Sequence, residues 1–90
     1  KKYKKKTLLI VTDHPADVSA DLLELTNHSS TILKGFGSYT AHKKYMIYTV
    51  LSDNDVRKMK KRIREQYPDT FVNVINSSDV MGNFYIQPFE

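Results

Sequence analysis

Residues 31–40 read TILKGFGSYT, a short apolar and β-branched run that passes into glycine, aromatic and hydroxyl residues. The opening of this stretch predicts a strand, and Gly35 and Gly37 lie where that strand should end. A strand end that uses glycine twice is typical of a place where the backbone approaches a ligand, a partner or another segment. This stretch is therefore the first candidate for a functional site.

The sequence on either side of this stretch predicts two helices. The first starts at Pro15, in the first-turn position that proline favours, with Asp13 or His14 as its cap. The second starts after Ser52, which forms a capping box with Asp55 and precedes an apolar run at helical spacing. A further helical turn is predicted at residues 77–80.

Four short runs rich in apolar and β-branched residues predict strands. They lie at residues 7–12, 31–34, 44–51 and 70–75. Together with the helices they give a β-α-β-β-α-β order. The predicted fold class is therefore α+β, a ferredoxin-like βαββαβ sandwich in which an antiparallel four-stranded sheet carries two helices on one face.

The first and third predicted strands form the central pair of such a sheet, and both are apolar at successive positions. A sheet that is covered on one face only should alternate apolar and polar residues. We therefore expect the face opposite the helices to be covered as well, by another subunit or by the C-terminal tail. Self-association is the resulting prediction.

Positive charge is concentrated at two places in a chain whose formal net charge is +4. Five of the first six residues are lysines, a run typical of a solvated arm, with nucleic acid or anionic lipid as functional partners. The second helix carries six cations between Arg57 and Arg64, which indicate a solubilising face or a surface for anionic lipid, nucleic acid or an acidic partner.

Several chemistries are disfavoured by the residues themselves. The run KGFG at residues 34–37 opens like the strand motif of RNA-recognition domains, but Ser38 replaces a base-stacking aromatic residue and the run falls on the second strand instead of the third. The same glycines lack the third glycine and the following helix of a dinucleotide loop. The chain has no cysteine, and its three histidines lack metal-ligand spacing. We predict no enzyme activity, no metal and no cofactor.

From the glycine stretch onward the chain resembles the C-terminal cytoplasmic domain of YitT-type bacterial membrane proteins, a domain of uncharacterised function. The matching residues are Thr31-Ile32-Leu33, Gly35, Gly37, Tyr39-Thr40, Pro68, Phe71-Val72 and Asp79-Val80-Met81-Gly82-Asn83-Phe84. The chain departs from that pattern at His28-Ser29, where an Arg-Gly pair is usual, at Ala41, where glycine is common, and at Tyr67 and Thr70.

The resemblance implies a membrane protein with transmembrane helices upstream, in which residues 1–6 form a basic juxtamembrane linker and residues 7–90 form the domain. A positive linker fits the cytoplasmic side of the cell membrane. The resemblance also implies a fold similar to the nitrogen-regulatory PII proteins, which are trimers that bind small effectors between subunits.

The leading functional hypothesis is a regulatory or sensory domain that self-associates, as a trimer by analogy, and binds a small anionic ligand such as a nucleotide. The residues expected to bind it are Lys34, Gly35, Gly37, Tyr39, Thr40, Lys44, Gly82, Asn83 and Phe84. In the alternative, the two glycines form a β-bulge and Tyr39 packs against the domain. Two other functions remain open: a nucleic-acid-binding module that uses the lysine arm and the basic helix, and a structural oligomerisation domain.

Overall fold

A computed structural model describes residues 5–82, and these have the predicted β-α-β-β-α-β order. The strands are β1 (Lys5–Thr12), β2 (Thr31–Phe36), β3 (Lys43–Ser52) and β4 (Phe71–Ser77). The helices are α1 (Pro15–Thr26) and α2 (Asp53–Gln66).

The four strands form one sheet in the order β2-β3-β1-β4, and every neighbouring pair is antiparallel. β1 and β3 are the central pair, as the sequence predicted, and β2 and β4 are the edge strands. Since the core contains side chains from β1, β3 and both helices, the two helices share one face of the sheet. The predicted ferredoxin-like fold class is confirmed.

The core lies between the helices and the central strands. Alternate residues of β1 and β3 face the helices and are fully buried, with Leu8 and Ile10 on β1 and Ile47 and Leu51 on β3. The helices contribute residues at helical spacing. These are Val18 and Leu22 of α1 and Val56, Met59 and Ile63 of α2.

Both helices begin with recognisable local signals, and α1 also ends with one. Pro15 occupies the first turn of α1, and α1 ends at Asn27, whose left-handed φ of 62° lets its N–H donate to the Leu23 carbonyl. The Ser52 hydroxyl accepts a hydrogen bond from the Asp55 N–H at 3.3 Å, so the predicted N-terminal cap of α2 is present.

The second face of the sheet is apolar and carries no helix. We call it the open face, and its apolar residues are Leu9, Val11, Leu33, Met46, Tyr48, Val50, Phe71 and Ile75. The strand register places Leu33, Met46, Val11 and Phe71 side by side across all four strands. Phe71 is 63% exposed and Leu33 49% exposed, so nothing in residues 5–82 covers this row.

The structure differs from the prediction in the bounds of the strands and in one predicted helical turn. β2 and β4 each end two residues later than predicted, and the start of β4 and both ends of β3 differ by one residue. β1 begins at Lys5, two residues before the predicted start, because Lys5 and Lys6 continue the ladders with β3 and β4. The helical turn predicted at residues 77–80 is wrong. Ser77 is the last residue of β4, and the segment after it is not helical.

Candidate functional site

Three connections lie together at one end of the sheet, where the strands β1 and β2 end and the strands β3 and β4 begin. They are the β1–α1 connection at residues 13–14, the β2–β3 loop at residues 37–42 and the α2–β4 connection at residues 67–70. We call this the loop edge. The sheet brings these segments together because antiparallel pairing alternates the ends of neighbouring strands.

The β2–β3 loop is closed by its own hydrogen bonds. The Gly37 N–H donates to the His42 carbonyl at 2.8 Å, and the Ala41 N–H donates to the Gly37 carbonyl at 2.8 Å. A Cβ at Gly37 would lie 3.1 Å from the Thr40 hydroxyl, so glycine suits this tight turn. Ala41 has a φ of 62°, the conformation that glycine adopts most easily, which explains why glycine is common at this position.

The alternative of a β-bulge and a packed tyrosine is not what the structure shows. β2 pairs with β3 in unbroken register from Thr31 to Phe36, with Gly35 opposite Lys44. A Cβ at Gly35 would meet no atom within 4 Å. Tyr39 is 98% exposed on the loop and packs against nothing within the described residues. The glycine stretch therefore makes a regular strand end and a tight loop.

A cavity of about 210 Å³ opens at the loop edge. It is lined by the end of β1, the β1–α1 connection, Lys44 of β3, the last residue of α2 and the α2–β4 connection, including Thr12, Asp13, His14 and Tyr67. Its walls are mainly polar, and they combine a cation, carboxylates, an imidazole and a phenol. Such a combination suits a small polar ligand.

Lys44 supplies the cation of this cavity. Its Nζ lies 3.4 Å from both carboxylate oxygens of Asp13. Because both side chains are substantially exposed, this ion pair contributes little to stability. An incoming anionic group can therefore replace Asp13 beside Lys44 at small cost.

Tyr67 forms the opposite wall and is held from behind by α1. Its hydroxyl donates to Asp21 Oδ2 at 2.9 Å, and Arg62 Nη1 donates to Asp21 Oδ1 at 2.8 Å. The Tyr67 and His14 rings are 6.0 Å apart between centroids and tilted by 30°. Desolvation, with the hydrogen bond to Asp21 and the nearby carboxylates, raises the pKa of Tyr67. The phenol therefore stays a neutral donor at physiological pH.

The residues predicted to bind the ligand are only partly brought together. Lys44 lines the cavity, and Gly35 lies opposite it on β2. Gly37, Tyr39 and Thr40 lie on the β2–β3 loop, and like Gly35 they do not line the cavity.

Lys34 is exposed on edge strand β2, opposite Tyr45, and it does not line the cavity.

Gly82 lies toward the other end of the sheet. β4 ends at Ser77, opposite Lys5, about 26 Å along the strands from the loop edge. The five residues after Ser77 span at most about 18 Å, so Gly82 does not reach the glycine stretch of the same chain. Asn83 and Phe84 lie outside the described residues.

Sequence reasoning did not assign Asp13, His14 and Tyr67 to the site. Asp13 and His14 are predicted as candidate helix caps, and Tyr67 is noted as a departure from the family pattern. One signal is present: Asp13 directly follows β1, and Tyr67 lies between the end of α2 and the start of β4. In the predicted topology those two positions share an edge.

Within residues 5–82, no group of three or more His, Cys, Asp or Glu side chains is placed to hold a metal ion. No helix among the described residues is both long and apolar enough to cross a membrane.

Comparison with known families identifies the domain. Residues 28–82 match the family described as "Uncharacterized protein conserved in bacteria (DUF2179)". The chain belongs to the DUF2179 family. A relative, the UPF0750 membrane protein YxkD of Bacillus subtilis, is 28% identical over 82 residues, which are 91% of this chain and 30% of YxkD. The DUF2179 match and this relative confirm the resemblance to YitT-type membrane proteins.

The DUF2179 chain is a part of the length of its relatives. It spans between 28% and 51% of the length of the curated relatives that it matches.

Solved structures share its fold. A putative PII-like signalling protein from Thermus thermophilus superposes with a TM-score of 0.72 at 19% identity, over 83% of this chain and 87% of the other. CPII, a nitrogen regulatory PII-like protein from Thiomonas intermedia solved with ADP, AMP and bicarbonate, superposes with a TM-score of 0.55 at 20% identity, over 89% and 98%. These likenesses confirm the PII-like fold.

Proposed function

We propose that the chain is a non-enzymatic regulatory domain of a bacterial membrane protein, that it self-associates through its open face, and that it binds a small anionic effector such as a nucleotide at the loop edge. One observation carries the proposal. The cavity and the open face meet at the loop edge, where Val11 lines the first and belongs to the second. A second subunit on the open face would therefore border the effector.

Self-association is supported by the exposure of the open face. Large apolar side chains on three of its strands stand in water in the single chain, with Met46 and Tyr48 at 37% and 43% exposure on a central strand. Contiguous exposed apolar surface of this kind marks an interaction site in a soluble domain. The matching face of a second copy would bury these apolar side chains. It would bury no charged residue of α1 or α2, because both helices lie on the other face of the sheet.

Effector binding is supported by the polar cavity and by the weak pairing of its cation. Lys44 provides a point charge for a phosphate or carboxylate group, and Asp13 is its only carboxylate neighbour within 4 Å among the described residues. The Tyr67 and His14 rings provide a wall for the remainder of the ligand. The solved structure of CPII with nucleotides gives an example of such ligands on this fold.

The membrane link comes from the relatives. YxkD is named a membrane protein, and this chain matches 30% of its length. We extend this to the present chain, with residues 1–6 as a juxtamembrane linker and residues 7–90 as a domain on the cytoplasmic side. Lys5 and Lys6 belong to β1, so the linker would pass directly into the sheet. The oligomer is proposed as a trimer by analogy with PII proteins.

Isothermal titration calorimetry of the 90-residue chain with adenine and guanine nucleotides tests the effector proposal. We expect binding, and we expect Lys44→Gln to weaken it by at least about tenfold, because a charge-assisted contact is lost. Asp13→Asn should strengthen binding by up to about fivefold, because the competing carboxylate is removed.

Lys43→Gln is the matched control, since it removes the same charge from the neighbouring residue, which does not line the cavity. It should leave the affinity unchanged. If the assembled protein binds no nucleotide, the effector proposal is wrong and a purely structural oligomerisation domain accounts for the open face.

A further inference from the structure

The cations of α2 are not distributed evenly around the helix. Arg62 contacts Asp21 and Glu24 of α1, and Lys58 and Lys61 pair with Asp55 and Glu65 of α2 itself. The remaining cations are Arg57, Lys60 and Arg64, which we call the basic stripe. All three are exposed, and none lies within 4 Å of a carboxylate in the part of the chain that the structure describes.

The basic stripe occupies the flank of α2 that faces away from α1. Its members are three and four residues apart, so they form one row along the helix. Arg62 marks the flank toward α1, and Met59 and Ile63 mark the side that packs on the sheet. α1 contacts β3 of the sheet, whereas α2 contacts both β3 and β1. The flank of α2 that faces away from α1 therefore lies toward the side of the sheet formed by β1 and β4.

Among the described residues, β4 has one side whose backbone groups are unpaired. β4 pairs with β1 on one side, and no strand within residues 5–82 pairs with its other side. An edge strand of seven residues with a free row of N–H and C=O groups is a template for another strand. On the open face, beside the same edge, Phe71 and Ile75 are 63% and 43% exposed.

We infer that the β4 edge binds an extended partner segment in which acidic residues alternate with apolar residues. Such a segment would add a fifth strand to the sheet, with main-chain hydrogen bonds to β4. Its acidic side chains would lie on the helix side, below Arg57, Lys60 and Arg64. Its apolar side chains would lie on the open-face side, beside Phe71 and Ile75. This site is separate from the proposed effector site, and at Phe71 and Ile75 it borders the part of the open face that a second copy of the chain would cover.

The dimensions agree with this arrangement. Arg57 and Arg64 are about 10.5 Å apart along the α2 axis. Same-face side chains on a strand recur about every 6.6 Å, so two or three acidic residues face the stripe. Basic clusters that bind anionic lipid usually contain about four to eight cations. The basic stripe has three cations and lies beside a strand edge, so it suits a peptide better than a lipid surface.

A peptide with three glutamates alternating with three valines tests the inference directly. We expect it to bind the 90-residue chain, with an affinity that falls as salt concentration rises, since the ion pairs are exposed. Hydrogen exchange should slow at the β4 amides that point away from β1. A peptide with glutamine in place of glutamate should bind at least about tenfold more weakly.

Charge reversal separates the stripe from the rest of α2. A triple variant should bind the peptide more than about tenfold more weakly; its changes are Arg57→Glu, Lys60→Glu and Arg64→Glu. Its circular dichroism spectrum should match that of the original chain, which would show that the fold is kept. Lys61→Glu on the outer face of the same helix is the matched control and should leave binding unchanged. Equal binding by the stripe variant and the original chain would overturn the inference. Binding to phosphatidylserine vesicles but not to the peptide would overturn it in favour of a membrane surface.

Discussion

His28 is a buried histidine at the end of the sheet opposite the loop edge. It is 5% exposed in the connection between α1 and β2, and its backbone N–H donates to the Thr26 hydroxyl at 3.2 Å. Desolvation lowers the pKa of His28, with Asp55 opposing this shift and Lys5 reinforcing it. The folded state therefore favours the neutral imidazole.

A lowered pKa makes the stability of the domain depend on pH. The unfolded chain binds a proton near pH 6.5, whereas the folded chain binds it only at lower pH, so the stabilisation from His28 is complete above about pH 6.5 and is lost as pH falls through the folded-state pKa. Urea denaturation at about pH 7.5 and about pH 5 should show this loss. His28→Asn should reduce the pH dependence. An unchanged profile in His28→Asn would contradict this account.

Helix caps are local signals, so the sequence predicts Ser52 at the start of α2, and the structure confirms it. Burial is not a local signal. The residues around position 28 do not indicate that His28 is buried. Asp55 of α2 and Lys5 of β1 both act on the pKa of His28, so its burial arises from the tertiary packing.

The start of α2 has the clearest local signals in the sequence. Ser52 accepts from the Asp55 N–H, and Asp53 and Asp55 place negative charge in the first turn. Ser52→Ala should therefore lower the free energy of unfolding by about 1 kcal/mol, as measured by urea denaturation. Exposed Ser78→Ala is the control and should have an effect within about 0.5 kcal/mol of zero. Equal effects of the two changes would mean that the cap does not stabilise α2.

The helical turn predicted at residues 77–80 shows where element prediction fails. Its serine and aspartate resemble a helix start, but a start signal without a following periodic run does not make a helix, since short helices are marginal. Ser77 instead pairs with Lys5 in the sheet, and its hydroxyl lies 2.7 Å from that of Thr7. The long-range ladder overrides the local preference.

At the scale of the whole molecule, the continuous apolar character of β1 and β3 was the informative signal. It predicted that both faces of the sheet are covered. In the structure the helices cover one face, and nothing within residues 5–82 covers the apolar row on the other. The candidate site was less predictable. Lys44 and the glycine stretch follow from a strand end, whereas His14 and Tyr67 meet only through the folded topology.

Sedimentation velocity of the 90-residue chain tests whether the open face joins copies of the domain. We expect an oligomer that Met46→Glu converts to monomer, because a charge would be buried in the apolar row. Leu23→Glu is the matched control, since Leu23 is 46% exposed on α1, away from the open face, and this variant should remain oligomeric. A chain that sediments as a monomer at high concentration, or a Met46→Glu variant that still assembles, would contradict the account.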